Sequence, residues 1–242
     1  MADIFSLGFG PFRWVCTSCD AGDLRLTDRA AAAICAELST RRADTPSGGQ
    51  YRDNWLWVTQ AEQHELVVGS QARILYSDVV GRIRIAVQFN NMVRDGVLKA
   101  PVVISRDHHD VSGTDSPWRE TCDMRALDHS QYCADMATHN FVGDALRGAD
   151  WVALHNGGGT GWGNAINGGF GLVLDGSESA RQRAVTLLFW DVLNGVSRRA
   201  WAGNVNALWA IVDAMQHYAH PSLIADLESQ GVILNQLRVT LP

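Results

Sequence analysis

The stretch that decides the fold of this chain is residues 99–120, which read Lys-Ala-Pro-Val-Val-Ile-Ser-Arg-Asp-His-His-Asp-Val-Ser-Gly-Thr-Asp-Ser-Pro-Trp-Arg-Glu. Residues 102–104 are too few for a helix and all β-branched, which predicts a buried strand. Five ionisable side chains, at 106–110, follow that strand directly. Ligands of open α/β sheets bind beyond the carboxyl ends of strands, so the pattern predicts a functional site here. The alternative is a solvated loop of charges.

The rest of the chain alternates between strand-like and helix-like patterns. Strands are predicted at residues 12–15, 66–68, 72–76, 102–104, 149–155 and 169–175, with a short one after residue 231. Helices are predicted at 27–38 (capped by Thr27 or Asp28), 55–65 (aromatic side chains buried), 134–146, 179–193 and 207–218. Residues 81–94 are predicted to be a strand passing into a helix that stops at Gly96. The expected fold is therefore α/β, a mixed or mostly parallel sheet with flanking helices, in a single domain over residues 1–242.

Composition narrows the class of protein. Apolar residues make up 46% of the 242 and charged residues 19%, as in ordinary globular proteins. The net charge of −6 argues against a nucleic-acid partner. No apolar run approaches the roughly 18 residues of a membrane helix, and the first residues lack the pattern of a secretory signal. We therefore expect a cytoplasmic protein without a membrane partner.

A CxxC spacing occurs at Cys16-Thr17-Ser18-Cys19. A zinc site would need a second pair, and Cys122 and Cys133 are too far apart to form one. A redox pair would need to open a helix in a βαβ unit. Two ordinary reduced thiols are the favoured interpretation, and no metal site is predicted.

A glycine-rich segment, Asn-Gly-Gly-Gly-Thr-Gly-Trp-Gly at 156–163, follows the strand predicted at 149–155. Such a backbone can approach a ligand closely and present several N–H groups to it. No register of the segment gives G-x-G-x-x-G, and it lacks the ending of a phosphate-binding P-loop. It also leaves no room for a crossover helix before the next strand, so this is not a complete dinucleotide-binding unit. The alternative is a tight turn without function.

Four motifs together resemble one known family. They are residues 7–15 (Leu-Gly-Phe-Gly-Pro-Phe-Arg-Trp-Val), 68–76 (Val-Gly-Ser-Gln-Ala-Arg-Ile-Leu-Tyr), 105–120 and 153–175. In this order they resemble urocanase (urocanate hydratase) in its longer animal and protist form. The resemblance covers nearly the whole chain and corresponds to the C-terminal part of the family's core domain. The N-terminal part of that core and the inserted NAD-binding domain are not matched by this sequence.

The resemblance implies a hydro-lyase of histidine degradation that adds water to urocanate to give imidazolonepropionate. It implies NAD as an electrophilic cofactor, and a homodimer. Arg13 would bind the substrate carboxylate, since a guanidinium fork suits a carboxylate. Asp110, with His108 or His109, would activate or position water.

The resemblance also implies roles for backbone and supporting residues. Gly159, with Gly158 and Gly157, would lie against NAD. Arg119 and Glu120 would form a buried pair that holds the site in shape. A general acid is not evident in this sequence and is expected in the unmatched N-terminal part. Leu75 stands where bacterial-type members carry a cysteine, so either that cysteine is not required or this chain has lost a function; we favour the first.

Two other functions stay open at this point. A strand followed by Asp107, His108 and His109 is also the local signature of DHH phosphoesterases, which bind manganese. Those enzymes need further aspartates on earlier strands and a glycine run ending in histidine, whereas this run ends in Thr160. The other possibility is a non-catalytic, truncated or split part of an enzyme.

Overall fold

A five-stranded sheet organises the residues that the computed structural model describes, which are 2–66, 70–106, 135–156, 166–201 and 203–218. The strands are β1 (Gly10–Cys16), β2 (Ala72–Ser77), β3 (Val102–Arg106), β4 (Trp151–Asn156) and β5 (Ile166–Leu174). Their order across the sheet is β2-β1-β3-β5-β4. The strands predicted at 12–15, 72–76, 102–104, 149–155 and 169–175 each correspond to one strand of this sheet, although residues 149, 150 and 175 lie outside it.

Every neighbouring pair of strands is antiparallel, so the predicted mixed or mostly parallel sheet is wrong. The sequence pattern suggested that a strand, a helix and the next strand would form a parallel pair. Strands β2 and β3 do run in the same direction, but β1 lies between them. In the same way, β5 lies between β3 and β4. An inserted strand of opposite direction thus turns each expected parallel neighbour into an antiparallel one.

Seven helices occur in the described part of the chain. They are α1 (Ala2–Ser6), α2 (Ala21–Arg41), α3 (Gly48–Gln60), α4 (Val79–Arg94), α5 (Asp135–Leu146), α6 (Glu178–Trp201) and α7 (Val205–Tyr218). The last three match the predicted helices in place, with α6 running further than expected. None of the described helices has the length and apolar character needed to cross a membrane.

Three of the predicted helix details are wrong. Helix α2 begins earlier than expected because Asp20 caps it, accepting a hydrogen bond from the Gly22 N–H at 2.6 Å. Thr27 and Asp28 therefore lie inside the helix, and both are buried. Helix α3 begins and ends earlier than the predicted 55–65, and in it Trp57 is 52% exposed and Trp55 39%, so these aromatic residues are not on the buried side.

The third error concerns residues 81–94, which form one helix instead of a strand passing into a helix. Asp78 fixes its start by accepting the Gly81 N–H at 2.9 Å. The helix ends just before Gly96, which has a φ of +69°, as the sequence predicted for its stop.

The two faces of the sheet have different surroundings. Phe12, Trp14 and Ile104 lie on a face covered by helices, where they belong to the main hydrophobic core. Trp14 packs edge-on against Phe89 of α4, and its indole N–H donates to the Thr27 hydroxyl at 3.0 Å. We call this the helix-covered face.

Residues at the alternate strand positions lie on the opposite face of the sheet. Arg13 and Val103 are only partly buried there, and Ile74 is 37% exposed. The period-two alternation of the strands therefore sets two environments, as expected when one face carries the core.

Two predicted strands lie largely or wholly outside the described residues. They are the strand at 66–68, of which residue 66 is described, and the short strand after residue 231. The single domain over residues 1–242 stays a prediction.

Candidate functional site

The strand order brings the residues next to the predicted site segments to one end of the sheet. Because neighbouring strands are antiparallel, β2, β3 and β4 end where β1 and β5 begin. We call this the site end; its strand termini are Gly10, Ser77, Arg106, Asn156 and Ile166. The opposite end we call the far end.

Two of the predicted segments are attached to neighbouring strands at the site end. Arg106 ends β3, and Asp107 follows it in the chain. Asn156 ends β4 and Ile166 begins β5, with the glycine-rich segment between them. Strands β3 and β5 are paired, with Arg106 opposite Phe170. The charged and glycine-rich segments are therefore joined to adjacent strands at the same end.

Arg13 is the middle residue of β1 (Gly10–Cys16). Its Cα partners are Ile74 of β2 and Ser105 of β3, and Ser105 is two residues before Asp107. The side chain is partly buried on the face opposite the helices, since its neighbours Phe12 and Trp14 point into the core. A guanidinium in this position is suited to pair with an anion beside the end of β3.

The other predicted site residues lie outside the described part of the chain. They are His108, His109, Asp110, Arg119, Glu120, Gly157, Gly158 and Gly159. Of the predicted site residues, the structure thus describes Arg13. It also describes the strand ends that adjoin the segments carrying the other site residues. The roles of all these residues stay predictions.

The structure bears on the position where bacterial-type urocanases carry a cysteine. Leu75 is 2% exposed and pairs with Phe12, so its side chain lies on the helix-covered face. Arg13 lies on the other face. The side chain at position 75 therefore packs in the core of this chain and does not share a face with Arg13.

Sequence reasoning missed a buried ionic cluster beneath the site end. Arg106 donates through Nε to Asp191 Oδ1 at 2.9 Å and through Nη2 to the same oxygen at 2.6 Å. Asp191 Oδ2 also accepts from Arg82 Nη1 at 3.0 Å. The side chains of these residues and of Asp144 are fully buried. The signal was present in the sequence, because Arg106 follows Val102 and Ile104 at the period-two positions of a buried face.

A second buried cluster joins helices at the site end. Arg42 donates to Asp78 at 2.9 Å and to Asp213 at 2.6 Å, and the Tyr51 hydroxyl donates to Asp78. Burial raises the pKa of Asp213, although Arg42 opposes this shift. Burial and the Asp78 carboxylate raise the pKa of Tyr51 well above its ordinary value, so its hydroxyl keeps its proton and remains a donor. The contacts within this cluster tie α2, α3, α4 and α7 together.

The cysteines show no sign of metal or redox chemistry in the described residues. Cys16 and Cys19 are not bonded to each other, and Cys16 is buried with its sulfur 3.7 Å from the Thr27 hydroxyl. Burial raises the pKa of Cys16 to about 11. No group of metal-ligating side chains occurs among the residues that the structure describes. Cys122, Cys133 and the histidine pair lie outside them.

A dinucleotide would need a site for its pyrophosphate, which helix N-termini often supply. Four of the described helices carry their own caps there. Asp20 and Asp78 place carboxylates on α2 and α4, where they would repel a phosphate. The Ser177 hydroxyl caps α6 and the Asn204 side chain caps α7. These four N-termini therefore already have side-chain partners of their own, and the glycine-rich segment is the contact with NAD that the sequence predicts.

Taken together, these features define an α/β protein with an antiparallel sheet, helices on one face and a candidate polar site at one end. Residues 3–213 match the family described as Urocanase C-terminal domain, and the chain belongs to that family. It is 60% identical over 218 residues to a probable urocanate hydratase of Dictyostelium discoideum and 59% identical over 216 residues to the urocanate hydratase of Mus musculus. Each match covers 89% of this chain and 32% of the relative.

A probable urocanate hydratase of Caenorhabditis elegans is 54% identical over 98% of the chain and 35% of its own length. The chain thus spans about a third of the length of the curated relatives that it matches. The resemblance to urocanase is confirmed, as is its assignment to the C-terminal part. The phosphoesterase alternative finds no support in these matches.

Proposed function

We propose that this chain is the C-terminal part of a urocanate hydratase, a lyase that adds water to urocanate to give imidazolonepropionate in histidine degradation. The observation that carries the proposal is identity of 54–60% to urocanate hydratases of three organisms over 89–98% of the chain. The antiparallel sheet adds support, because it joins the flanks of the site segments at one end and keeps Arg13 beside them.

Arg13 is the proposed ligand of the urocanate carboxylate. Arg13 is partly buried on the face of the sheet opposite the described helices, and it lies beside Ser105 of β3. Partial burial strengthens such a contact relative to one in water, because the local dielectric constant is lower. Both carboxylate oxygens would accept from the guanidinium fork, which also orients the substrate.

Asp110 is the proposed group that activates or positions water, with His108 or His109 beside it. These three residues follow β3 within four positions of Arg106, so water would be held near the same end of the sheet as the Arg13 guanidinium. Arg119 and Glu120 are proposed to hold the site in shape as a pair. The general acid is proposed to come from the N-terminal part of the core.

NAD is the proposed cofactor, and when bound it would make the substrate ring open to attack by water. Gly157, Gly158 and Gly159 would let the backbone approach its nicotinamide, because they carry no side chains. The phosphates are proposed to lie in the NAD-binding domain that the family resemblance implies and that this sequence does not match. The family resemblance extends the proposal to a cytoplasmic homodimer, with the N-terminal core and NAD-binding regions as partners.

The test is urocanate consumption, followed by loss of the ultraviolet absorbance of urocanate. One sample holds this chain with added NAD. A second holds a chimera in which the chain replaces the matching third of the mouse relative, with which it shares 59% identity. We expect no turnover by the chain alone and turnover by the chimera. The unmodified mouse enzyme is the positive control.

Two outcomes would contradict this proposal in different ways. Turnover by the chain alone would show that it is not an incomplete part. A chimera that is folded and binds NAD but leaves urocanate unchanged would show that the chain does not carry the proposed hydratase residues.

A further inference from the structure

The buried cluster beneath the site end links two strands that the proposed function brings together. Besides its bonds to Asp191, Arg106 donates through Nη1 to the carbonyl oxygen of Gly168 in β5. Its guanidinium carbon lies 5.6 Å from the centre of the Phe170 ring, in the same strand. The Arg106 side chain thus joins the last residue of β3 to residues near the start of β5.

Two helices hold that side chain from the other side. Asp191 belongs to α6, and Asp144 of α5 lies 3.4 Å from Arg106 Nη2. The Asn140 amide donates to Asp144 at 3.2 Å and to Asp191 at 3.3 Å. The guanidinium therefore has its orientation fixed by carboxylates from both helices.

Stability alone is a weak reason for such a cluster. The buried arginines and aspartates attract one another, yet removing each charge from water carries a desolvation cost that this attraction does not always exceed. Replacing buried ion pairs by well-packed apolar residues is often neutral or stabilising. The backbone pairing of β3 with β5 reaches Arg106 and Phe170, and the Arg106 side chain adds a directional bond two residues nearer the start of β5, at the Gly168 carbonyl, which an apolar side chain could not supply.

We propose that Arg106, oriented by Asp191, is a positioning residue for the reaction. It fixes the distance between the end of β3, which leads into Asp107–Asp110, and the start of β5, which follows the glycine-rich segment. This inference rests on the proposed function, since those segments carry the proposed water-activating and NAD-contacting residues. The reacting groups need a fixed separation, and a misplacement of about 1 Å can cost on the order of 100-fold in rate.

The chain offers a matched control at the far end of the sheet. Arg73 of β2 makes a bidentate pair with Asp28 of α2, through Nε at 3.0 Å and Nη2 at 2.6 Å. Its side chain is 4% exposed, so it is almost as buried as Arg106. Both arginines lie on the helix-covered face, but Arg73 lies beside Trp14, away from the ends that carry the site segments.

The experiment compares Arg106→Lys with Arg73→Lys in the active chimera. Lysine keeps the charge and loses the planar fork. We expect both variants to unfold at lower temperatures than the parent. Below both unfolding temperatures, Arg106→Lys should lower kcat by about 10–100-fold, with the KM for urocanate changed less than threefold. Arg73→Lys should keep kcat within threefold. Equal losses of kcat in the two variants, or an unchanged kcat in folded Arg106→Lys, would overturn the inference.

Hydrogen exchange of the 242-residue chain supplies a readout that does not need the hydratase activity. Peptides covering residues 107–120 and 157–165 should exchange faster in Arg106→Lys than in the parent, and at the parent rate in Arg73→Lys. Should Arg106→Lys prove unfolded, Asp191→Asn tests the same contact with a side chain of the same shape. Unchanged exchange in both segments of a folded variant would contradict the positioning role. An inactive parent chimera with the expected exchange pattern would instead contradict the proposed function alone.

Discussion

The two ends of the sheet are built from the same kinds of residues but serve different purposes. At the far end, β1 and the connection before β2 are joined by short backbone bonds, such as Cys16 N–H to the Gln71 carbonyl at 2.9 Å. The Arg73–Asp28 pair there connects one strand to one helix. At the site end, Asp191 is shared by Arg82 and Arg106, and the strands continue into the segments that carry the predicted chemistry.

Under the proposed function, this difference would separate contacts that serve stability from contacts that also serve the reaction. At the far end the buried Arg73–Asp28 pair and a more exposed Lys99–Asp20 pair accompany the backbone bonds of the turns. At the site end, the proposed reaction would require several strand termini to stay at fixed distances, and the buried cluster there is anchored in two helices. Because both ends use buried arginine–aspartate pairs, matched substitutions compare them directly.

The largest expected effect comes from removing the shared carboxylate. Asp191→Ala removes the carboxylate that Arg82 and Arg106 share, so each buried guanidinium loses a charged acceptor, which should cost about 4–5 kcal/mol of unfolding free energy. Asp28→Ala removes the partner of Arg73 alone, at a position with 10% of the aspartate side chain exposed, so we expect about 2–3 kcal/mol. Urea unfolding of both variants measures the difference. A larger loss for Asp28→Ala would reverse the ranking of the two ends.

The next largest expected effect is a difference in alkylation rate between two cysteines of the far end, Cys16 and Cys19. Burial raises the pKa of Cys16 to about 11 and that of Cys35 to about 12, so at neutral pH each is almost entirely thiol. Cys19 is exposed. We expect Cys19 to react with iodoacetamide at least about 100-fold faster than Cys16, as measured by mass spectrometry of the separated peptides.

A Cys19→Ser variant is the control for that measurement, and it should leave Cys16 protected. Fast labelling of Cys16 in the folded protein, or a disulfide between the two thiols, would revive a redox role for the CxxC spacing.

The sequence predicted strands better than it predicted their arrangement. Short β-branched and aromatic runs identified β1, β2 and β3, and alternation correctly placed Arg13 opposite its aromatic neighbours. The parallel sheet was wrong because strand order is set by long-range packing: whether β1 inserts between β2 and β3 cannot be read from any local pattern.

Helix details failed for a different physical reason. Thr27 and Asp28 are good capping residues, yet Asp20 caps α2 and leaves them to pair with Trp14 and Arg73 in the interior. The tertiary contacts of Thr27 and Asp28 outweighed the preference of these residue types for helix caps. The exposed Trp55 and Trp57 of α3 show the same limit, because hydrophobicity alone does not say which side of a helix has a neighbour.

For the candidate site, the sequence supplied the residue types but missed their support. In the sequence, Arg106 was noted only as one of five consecutive ionisable side chains. Its position two residues after Ile104 assigns it to the buried face, and that face then requires buried carboxylates. Asp191 and Asp144 lie on distant helices, so the sequence pattern of the strand could not identify them as its partners.

The most direct test of the account is whether Arg13 recognises a carboxylate. The active chimera and its Arg13→Ala variant are titrated by calorimetry with imidazolepropionate, the saturated analogue of urocanate, and with ethylimidazole, which lacks the carboxylate. Arg94→Ala is the control, because its side chain is 55% exposed at the end of α4. We predict that Arg13→Ala weakens imidazolepropionate binding about 10–100-fold, the loss of a charged hydrogen bond, and leaves ethylimidazole and NAD within threefold. Binding of imidazolepropionate within threefold of the parent, a change below about 1 kcal/mol, would contradict the placement of substrate at the site end.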